Sequence, residues 1–173
     1  MYEALVKTID PTLRFVRSFA NEMFVLEVER EGSKFILKTS HAYLLHVEKE
    51  RKALQIARDV PGITHLVDQY HNVGGFDIVL LKEYFPGADL RKLNVRIKDV
   101  NIQRKLEETV RALHSLGICY LDLDPRNVLL SPDRTEARLF DFGTAIFAKD
   151  CARSDFESTK AYDLLKLETL IFA

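Results

Sequence analysis

The sequence predicts an α+β chain in which an antiparallel sheet with one helix comes first and a mainly helical part follows. Three observations carry this. Short runs of β-type apolar residues, separated by glycine-containing turns, crowd the first half around a single stretch of helical period. Pro86-Gly87 then break the pattern by composition. Beyond the break, a long helical stripe leads into a loop and hairpin from Gly117 to Gly143, and the chain ends in an apolar helix.

Taken in order, residues 13–16, 24–28 and 34–38 read as strands, with Glu31-Gly32 as the tight turn between the last two. Residues 41–58 switch to helical period, with Ser40 as N-cap and Pro61-Gly62 as the stop. Val47, Glu50, Leu54 and Ala57 fall on one face, so Glu50 points inward among apolar neighbours. An inward carboxylate needs a cation, and Lys38 on the preceding strand is the natural candidate. Glu48 competes for that role, but the register of Leu54 and Ala57 favours Glu50. Residues 65–70 and 77–81 are two further strands joined around Gly74-Gly75. Residues 101–116 form a helix with Ile102, Leu106, Val110 and Leu113 buried, Asp99 as N-cap and Gly117 as the stop. The last helix, 161–172, is apolar almost all round and is expected to be buried. Asp163 lies inside it, either needing donors or sitting on a partly covered face.

With 173 residues, 47% hydrophobic and 29% charged, the chain can bury a core as one domain or two small lobes. A formal net charge of -1 gives no electrostatic footprint for nucleic acid. Cys119 and Cys151 lie far apart without metal-ligand spacing, so a reducing cytoplasm is expected. The N-terminus lacks a signal-peptide pattern, and no apolar run approaches the ~18 residues of a membrane span.

The chemistry concentrates in Gly117–Gly143. Asp122 and Asn127 share a short loop with Pro125, followed by the apolar run Val128-Leu129-Leu130. Ser131-Pro132-Asp133 makes a turn, and a second apolar run, Leu139-Phe140, ends at Asp141-Phe142-Gly143. A hairpin places Asp122, Asn127 and Asp141 around one small volume. Such oxygen ligands suit Mg²⁺, held by a few protein oxygens plus substrate phosphates.

Asp122-Leu123-Asp124-Pro125-Arg126-Asn127 followed by Asp141-Phe142-Gly143 resembles the H-R-D-L-x-x-x-N and D-F-G signatures of the protein-kinase-like superfamily. The resemblance extends over roughly residues 13–172 and is strongest at 119–143. It implies a two-lobed kinase-like fold, with residues 1–85 as the small lobe and 86–173 as a reduced, mainly helical large lobe. It implies ATP and Mg²⁺ as cofactors, with Asn127 and Asp141 holding the metal. Asp122 is then the group that accepts the substrate hydroxyl proton, and Arg126 supplies positive charge at the transferring phosphate. Lys38 contacts the phosphates and pairs with Glu50. Glu83 and Phe85 fall where an interlobe hinge offers backbone groups to adenine. Asp89 falls where an acidic residue meets the ribose, although an Asp capping a surface turn reads the same. Asp163 matches the aspartate that holds the catalytic loop by its backbone. The implied function is phosphoryl transfer from ATP to a protein Ser/Thr hydroxyl. The alternatives are a sugar or lipid kinase, or a pseudokinase or ATPase module acting in a complex. A protein partner covering the short large lobe goes with the last of these.

The departures point to small atypical branches. None of the seven glycines lies in the first strand connection, residues 18–22, where the family has its glycine-rich loop. Ile36 replaces a small Ala over adenine, and Lys82 stands at a usually apolar position at the back of the pocket. Tyr120 and Leu121 replace the His and Arg of H-R-D, which leaves a phosphorylated activation loop no docking arginine there. Asp124 replaces the usual catalytic-loop Lys, there is no A-P-E sequence, and little room remains for an activation segment and later helices. These features resemble the RIO-like kinases, the kinase-like ATPase of the KEOPS complex and bacterial lipopolysaccharide sugar kinases.

Overall fold

Paired residues in the left-handed region fold the first half into one antiparallel sheet. Glu31 (φ 51°) and Gly32 (φ 79°) turn one hairpin, and Gly74 (φ 61°) and Gly75 (φ 82°) turn another. Two consecutive positive φ values match the right-handed twist of the flanking strands. The computed structural model describes residues 1–19, 25–39, 44–119 and 121–172, apart from the side chains of 171 and 172. The strands are β1 (Arg14–Ser18), β2 (Val25–Arg30), β3 (Ser33–Thr39), β4 (Leu66–Val73) and β5 (Phe76–Glu83), in the spatial order β1-β2-β3-β5-β4.

The sheet is covered on both faces. Helix α1 (Tyr2–Ile9) was not legible as an element, yet its Tyr2, Leu5, Val6 and Ile9 form an apolar stripe. That stripe packs on Leu26, Val28, Leu37, Val79 and Leu81 of the outer face. Asp10 ends the helix, accepting from the Thr12 amide at 2.8 Å and from the Tyr70 hydroxyl of β4 at 2.7 Å. Helix α2 (Leu44–Ile56) lies on the opposite face, where Val47 packs with Ile78 and Leu80. Its far end, Ala53 and Leu54, joins Ala57 in the core of the second half. The expected N-cap Ser40 and the first turn at 41–43 lie outside the described residues.

The second half begins with β6 (Ala88–Asp89) and the single-turn helix α3 (Leu90–Leu93). Helix α4 (Val100–Ser115) follows, and Asp99 caps it by accepting from the amides of Asn101 at 2.8 Å and Ile102 at 3.2 Å. Ile102, Leu106, Val110 and Leu113 are all buried, as the helical stripe required. Two short ladders come next: β7 (Ile118–Cys119) with β10 (Ile146–Phe147), and β8 (Val128–Leu130) between β6 and β9 (Ala137–Leu139). The halves are stitched where Leu139 donates to the Gly62 carbonyl at 2.9 Å and Thr64 donates to the Leu139 carbonyl at 3.0 Å.

The final helix departs from expectation in extent and in burial. Helix α5 begins earlier and spans Arg153–Phe172. Phe156, Asp163, Leu167 and Leu170 are buried along one stripe, while Tyr162 and Leu165 are exposed. Its apolar count overstated its burial, because among the described elements α4 and β7 are the ones that pack against it closely. Among the described residues no helix is long and apolar enough to cross a membrane.

Candidate active site

Strand alternation decides which side chains face α2 and the second half. On β3, Leu37 enters the outer core with α1, so Lys34, Ile36 and Lys38 share the opposite face. From there Lys38 Nζ reaches Glu50 Oε2 on α2 at 2.7 Å and Asp141 Oδ2 at 3.2 Å. Glu50 is fully buried, as its inward register demanded, whereas Glu48 turns aside to pair with Arg51. Burial works against the Lys38 charge, but Glu50 and Asp141 outweigh it and hold its pKa above the ordinary lysine range. Burial likewise opposes ionisation of Asp141, yet Lys38 and Lys82 hold its carboxyl below the usual carboxylate range.

The loop after β7 assembles the other half of the site. Asp122 is exposed and adopts φ 46°. Asn127 Nδ2 donates to the Asp122 carbonyl at 3.0 Å and to its Oδ2 at 2.8 Å. The Asn127 carbonyl accepts from the Phe140 amide at 3.3 Å, which places Asp141 one residue beyond that link. The hairpin β8–β9 therefore gathers Asp122, Asn127 and Asp141 at one end. Gly143 donates to Asp141 Oδ1 at 2.9 Å. A Cβ on Gly143 would lie 3.2 Å from that oxygen and 3.2 Å from His46 Cβ, so any side chain there would crowd both.

The loop is held from below by α5. Asp163 is buried and accepts from the Leu121 amide at 3.1 Å, with His114 Nε2 at 2.9 Å from its other oxygen. The Leu121 amide is a donor of the kind its burial called for. Tyr120, which precedes Leu121 in the sequence, lies outside the described residues.

Other candidates have partners of their own. Arg126 is exposed, and its Nε donates to Asp124 Oδ1 at 2.7 Å. Asp89 caps α3, accepting from the Lys92 amide at 2.8 Å. Glu83 lies at the end of β5, where its amide donates to the His65 carbonyl at 2.8 Å and its carboxylate pairs with Arg138 at 2.6 Å. Phe85 is buried with the Arg138 guanidinium over its ring, and its carbonyl accepts from Gly87 at 2.8 Å. Arg138, which no sequence motif flagged, thus anchors this connection to β9.

The sheet face that carries Lys38 forms a charged roof over these groups. Arg17, Glu27, Ile36 and Lys82 stand opposite one another across β1, β2, β3 and β5. Glu27 is fully buried between Arg17 Nε and Lys34 Nζ, each at 2.7 Å, and Lys34 lies over the Tyr84 ring. Burial opposes the Glu27 charge, but the two cations keep its carboxyl below the usual range. Lys82 is buried as well and pairs with Glu50.

The oxygen donors fit a hard cation. Asp141 presents a carboxylate held ionised, and Asn127 engages Asp122 through its nitrogen, so its amide oxygen is the end not committed there. Among the described residues no cluster of three or more His, Cys, Asp or Glu could hold a metal ion alone. A cation at this site would need further oxygen ligands from a bound molecule or water.

Residues 27–163, most of the chain, match the family described as the protein kinase domain. Casein kinase II subunit alpha' of Saccharomyces cerevisiae is 32% identical over 116 residues, which cover 60% of this chain and 34% of that protein. The chain thus spans about a third of the length of that curated relative.

Proposed function

This chain belongs to the protein kinase domain family, and from that premise we propose that it transfers the terminal phosphoryl group of ATP to a protein Ser/Thr hydroxyl. The observation that carries this reading is the meeting of Lys38 with both Glu50 and Asp141, beside the linked pair Asp122–Asn127. Phosphoryl transfer needs positioning and charge neutralisation more than covalent chemistry, and these side chains supply both. Lys38, oriented by Glu50, contacts the phosphates. Asp122, exposed at the loop's surface, receives the proton of the acceptor hydroxyl and orients its oxygen for in-line attack. Asn127 and Asp141 would hold Mg²⁺, which would supply neutralisation of the charge that develops on the phosphoryl group. Asp163 keeps the loop in place through the Leu121 amide. Glu83 and Phe85 border the base, Asp89 the ribose, and Arg126 leaves Asp124 for the transferring group. The similarity to a casein kinase subunit supports a protein acceptor.

We divide the chain at the Phe85-Pro86 junction into the lobes above and below this cleft. We place it with the minimal, RIO- and KEOPS-like branches. Support comes from the absence of glycine in residues 18–22 and from the direct passage from Gly143 into β10 and α5. A reducing cytoplasm suits its free cysteines. Cys119 is buried, and burial pushes its thiol up to about 12.

Labelled Mg-ATP with generic protein substrates tests the assignment. Transfer by the wild type, lost in Asp122→Ala and Asp141→Ala, is the expected result; equal transfer by all three overturns it. The short link after Gly143 favours a second reading, a small-molecule acceptor, because a longer segment normally forms the peptide platform. Activity on proteins alone counts against that. The charged roof favours a third, an ATPase or non-transferring module working with a partner, and phosphate released only to water would mark it.

A further inference from the structure

The proposed chemistry leaves Lys82 without a task. Its side chain leaves β5 on the face that Leu80 and Ile78 share with α2, and it is only 4% exposed. A buried ammonium persists only where several acceptors replace water. Nζ meets Glu50 Oε1 and donates to the Phe140 carbonyl at 2.5 Å. Phe140 directly precedes Asp141, and its amide is already bound to Asn127. One side chain therefore ties the sheet, helix α2 and the backbone carrying the metal-site aspartate.

Charge supports the same conclusion. Lys38, Lys82, Glu50 and Asp141 form one linked set with two positive and two negative groups. Without Lys82, Glu50 and Asp141 would share the single charge of Lys38. Two further contacts fasten α2 to the stretch beyond Asp141. Gly143 packs on His46, and Lys52 pairs with Asp150 at 2.8 Å and lies 3.8 Å from the Phe147 ring centroid. In kinases regulated by an activation loop, a long segment must be ordered before helix and aspartate meet. Here no such segment lies between Gly143 and the start of α5 at Arg153.

We propose that Lys82 is a positioning residue: a fixed clasp that holds α2 and Asp141 in their working places with no ordering step. This rests on the phosphoryl-transfer reading for its catalytic meaning, but the clasp itself is testable without nucleotide. Amide hydrogen exchange is compared in the full chain for wild type, Lys82→Met and Leu80→Ala. The last variant loosens the same sheet face against α2 but leaves the link to Phe140. Loss of a bond to a charged group corresponds to about tenfold or more in local opening. Lys82→Met is expected to speed exchange by that factor in residues 44–50 and 140–147 while α4 stays unchanged, and Leu80→Ala is expected to spare 140–147. Unchanged exchange in Lys82→Met, the same pattern in both variants, or outright loss of the fold in Lys82→Met overturns the proposal. A clasp between two segments does not hold the α4 core together. In the transfer assay, Lys82→Met lowers kcat at saturating Mg-ATP by about tenfold. A wild type without transfer or hydrolysis refutes the phosphoryl-transfer reading alone, since the exchange result still decides the clasp.

Discussion

Asp122 holds a backbone conformation that side chains other than glycine usually avoid, with φ 46°. That conformation costs an L-residue about 1–2 kcal/mol, although Asp and Asn tolerate it better than most. Strain of this kind concentrates where function requires a particular aim. Asp122→Gly is expected to unfold at no lower urea concentration than wild type, because relief of strain offsets the exposed bond to Asn127. Transfer in that variant falls by about 10²–10⁴-fold, the usual contribution of a positioned acid or base. A second residue pair sets a pH dependence remote from the cleft. Burial opposes the Asp10 charge, but bonds from Thr12 and Tyr70 and the charge of Arg30 hold its carboxyl below the usual range. Its contribution is therefore complete above the unfolded value of about 3.9 and is lost as pH falls through the lower folded value. Burial, then Asp10, raises the Tyr70 phenol. That contribution is complete below about pH 10 and is lost as pH rises through the folded value. Tyr70→Phe is expected to cost about 0.5–1.5 kcal/mol at neutral pH and to flatten both limbs of a stability-versus-pH curve from urea titrations.

Elements differed in how far the sequence disclosed them. Helices α2 and α4 were legible because a 3.6-residue stripe and a stop signal coincided, and in α4 the cap Asp99 as well. That register turned Glu50 inward, and the kinase-like resemblance singled out Lys38 as its partner, which the structure shows at 2.7 Å. Helix α1 is not legible in the sequence, because eight residues without a capping side chain give a weak local signal and its stripe matters only once the sheet exists. Lys82 could be flagged as out of place, but its partners depend on the β3–β5 register and on where Phe140 ends its strand, which no local pattern encodes. The charged roof was hidden for the same reason: Arg17, Glu27 and Lys34 meet only across strands. Helix α5 shows the converse error, since counting apolar residues says nothing of what packs against them. Ile9→Ala in α1 is expected to cost about 2–5 kcal/mol by urea unfolding. Leu165→Ala, on the exposed face of α5, is expected to stay within about 0.5 kcal/mol of wild type.

At the scale of the whole molecule, the two halves are joined at residues 62–64 with Leu139 and again through α2, whose length enters both cores. A ligand that bridges the halves therefore raises the stability of the whole. At a concentration one hundred times its Kd, Mg-ATP is expected to add about 2.7 kcal/mol, roughly 5–10 °C in Tm for a chain of this size. A thermal melt that shows no shift at saturating nucleotide supports the non-binding scaffold and indicts the charged roof. The passage from Gly143 through β10 directly into α5 also bears on time. Many enzymes of this architecture must first be switched, and their product traces curve upward while that happens. A molecule whose working parts are already joined has no such delay. Stopped-flow traces are expected to run straight from the first turnover, indifferent to preincubation with ATP, so that output follows the amount of protein present and nothing slower.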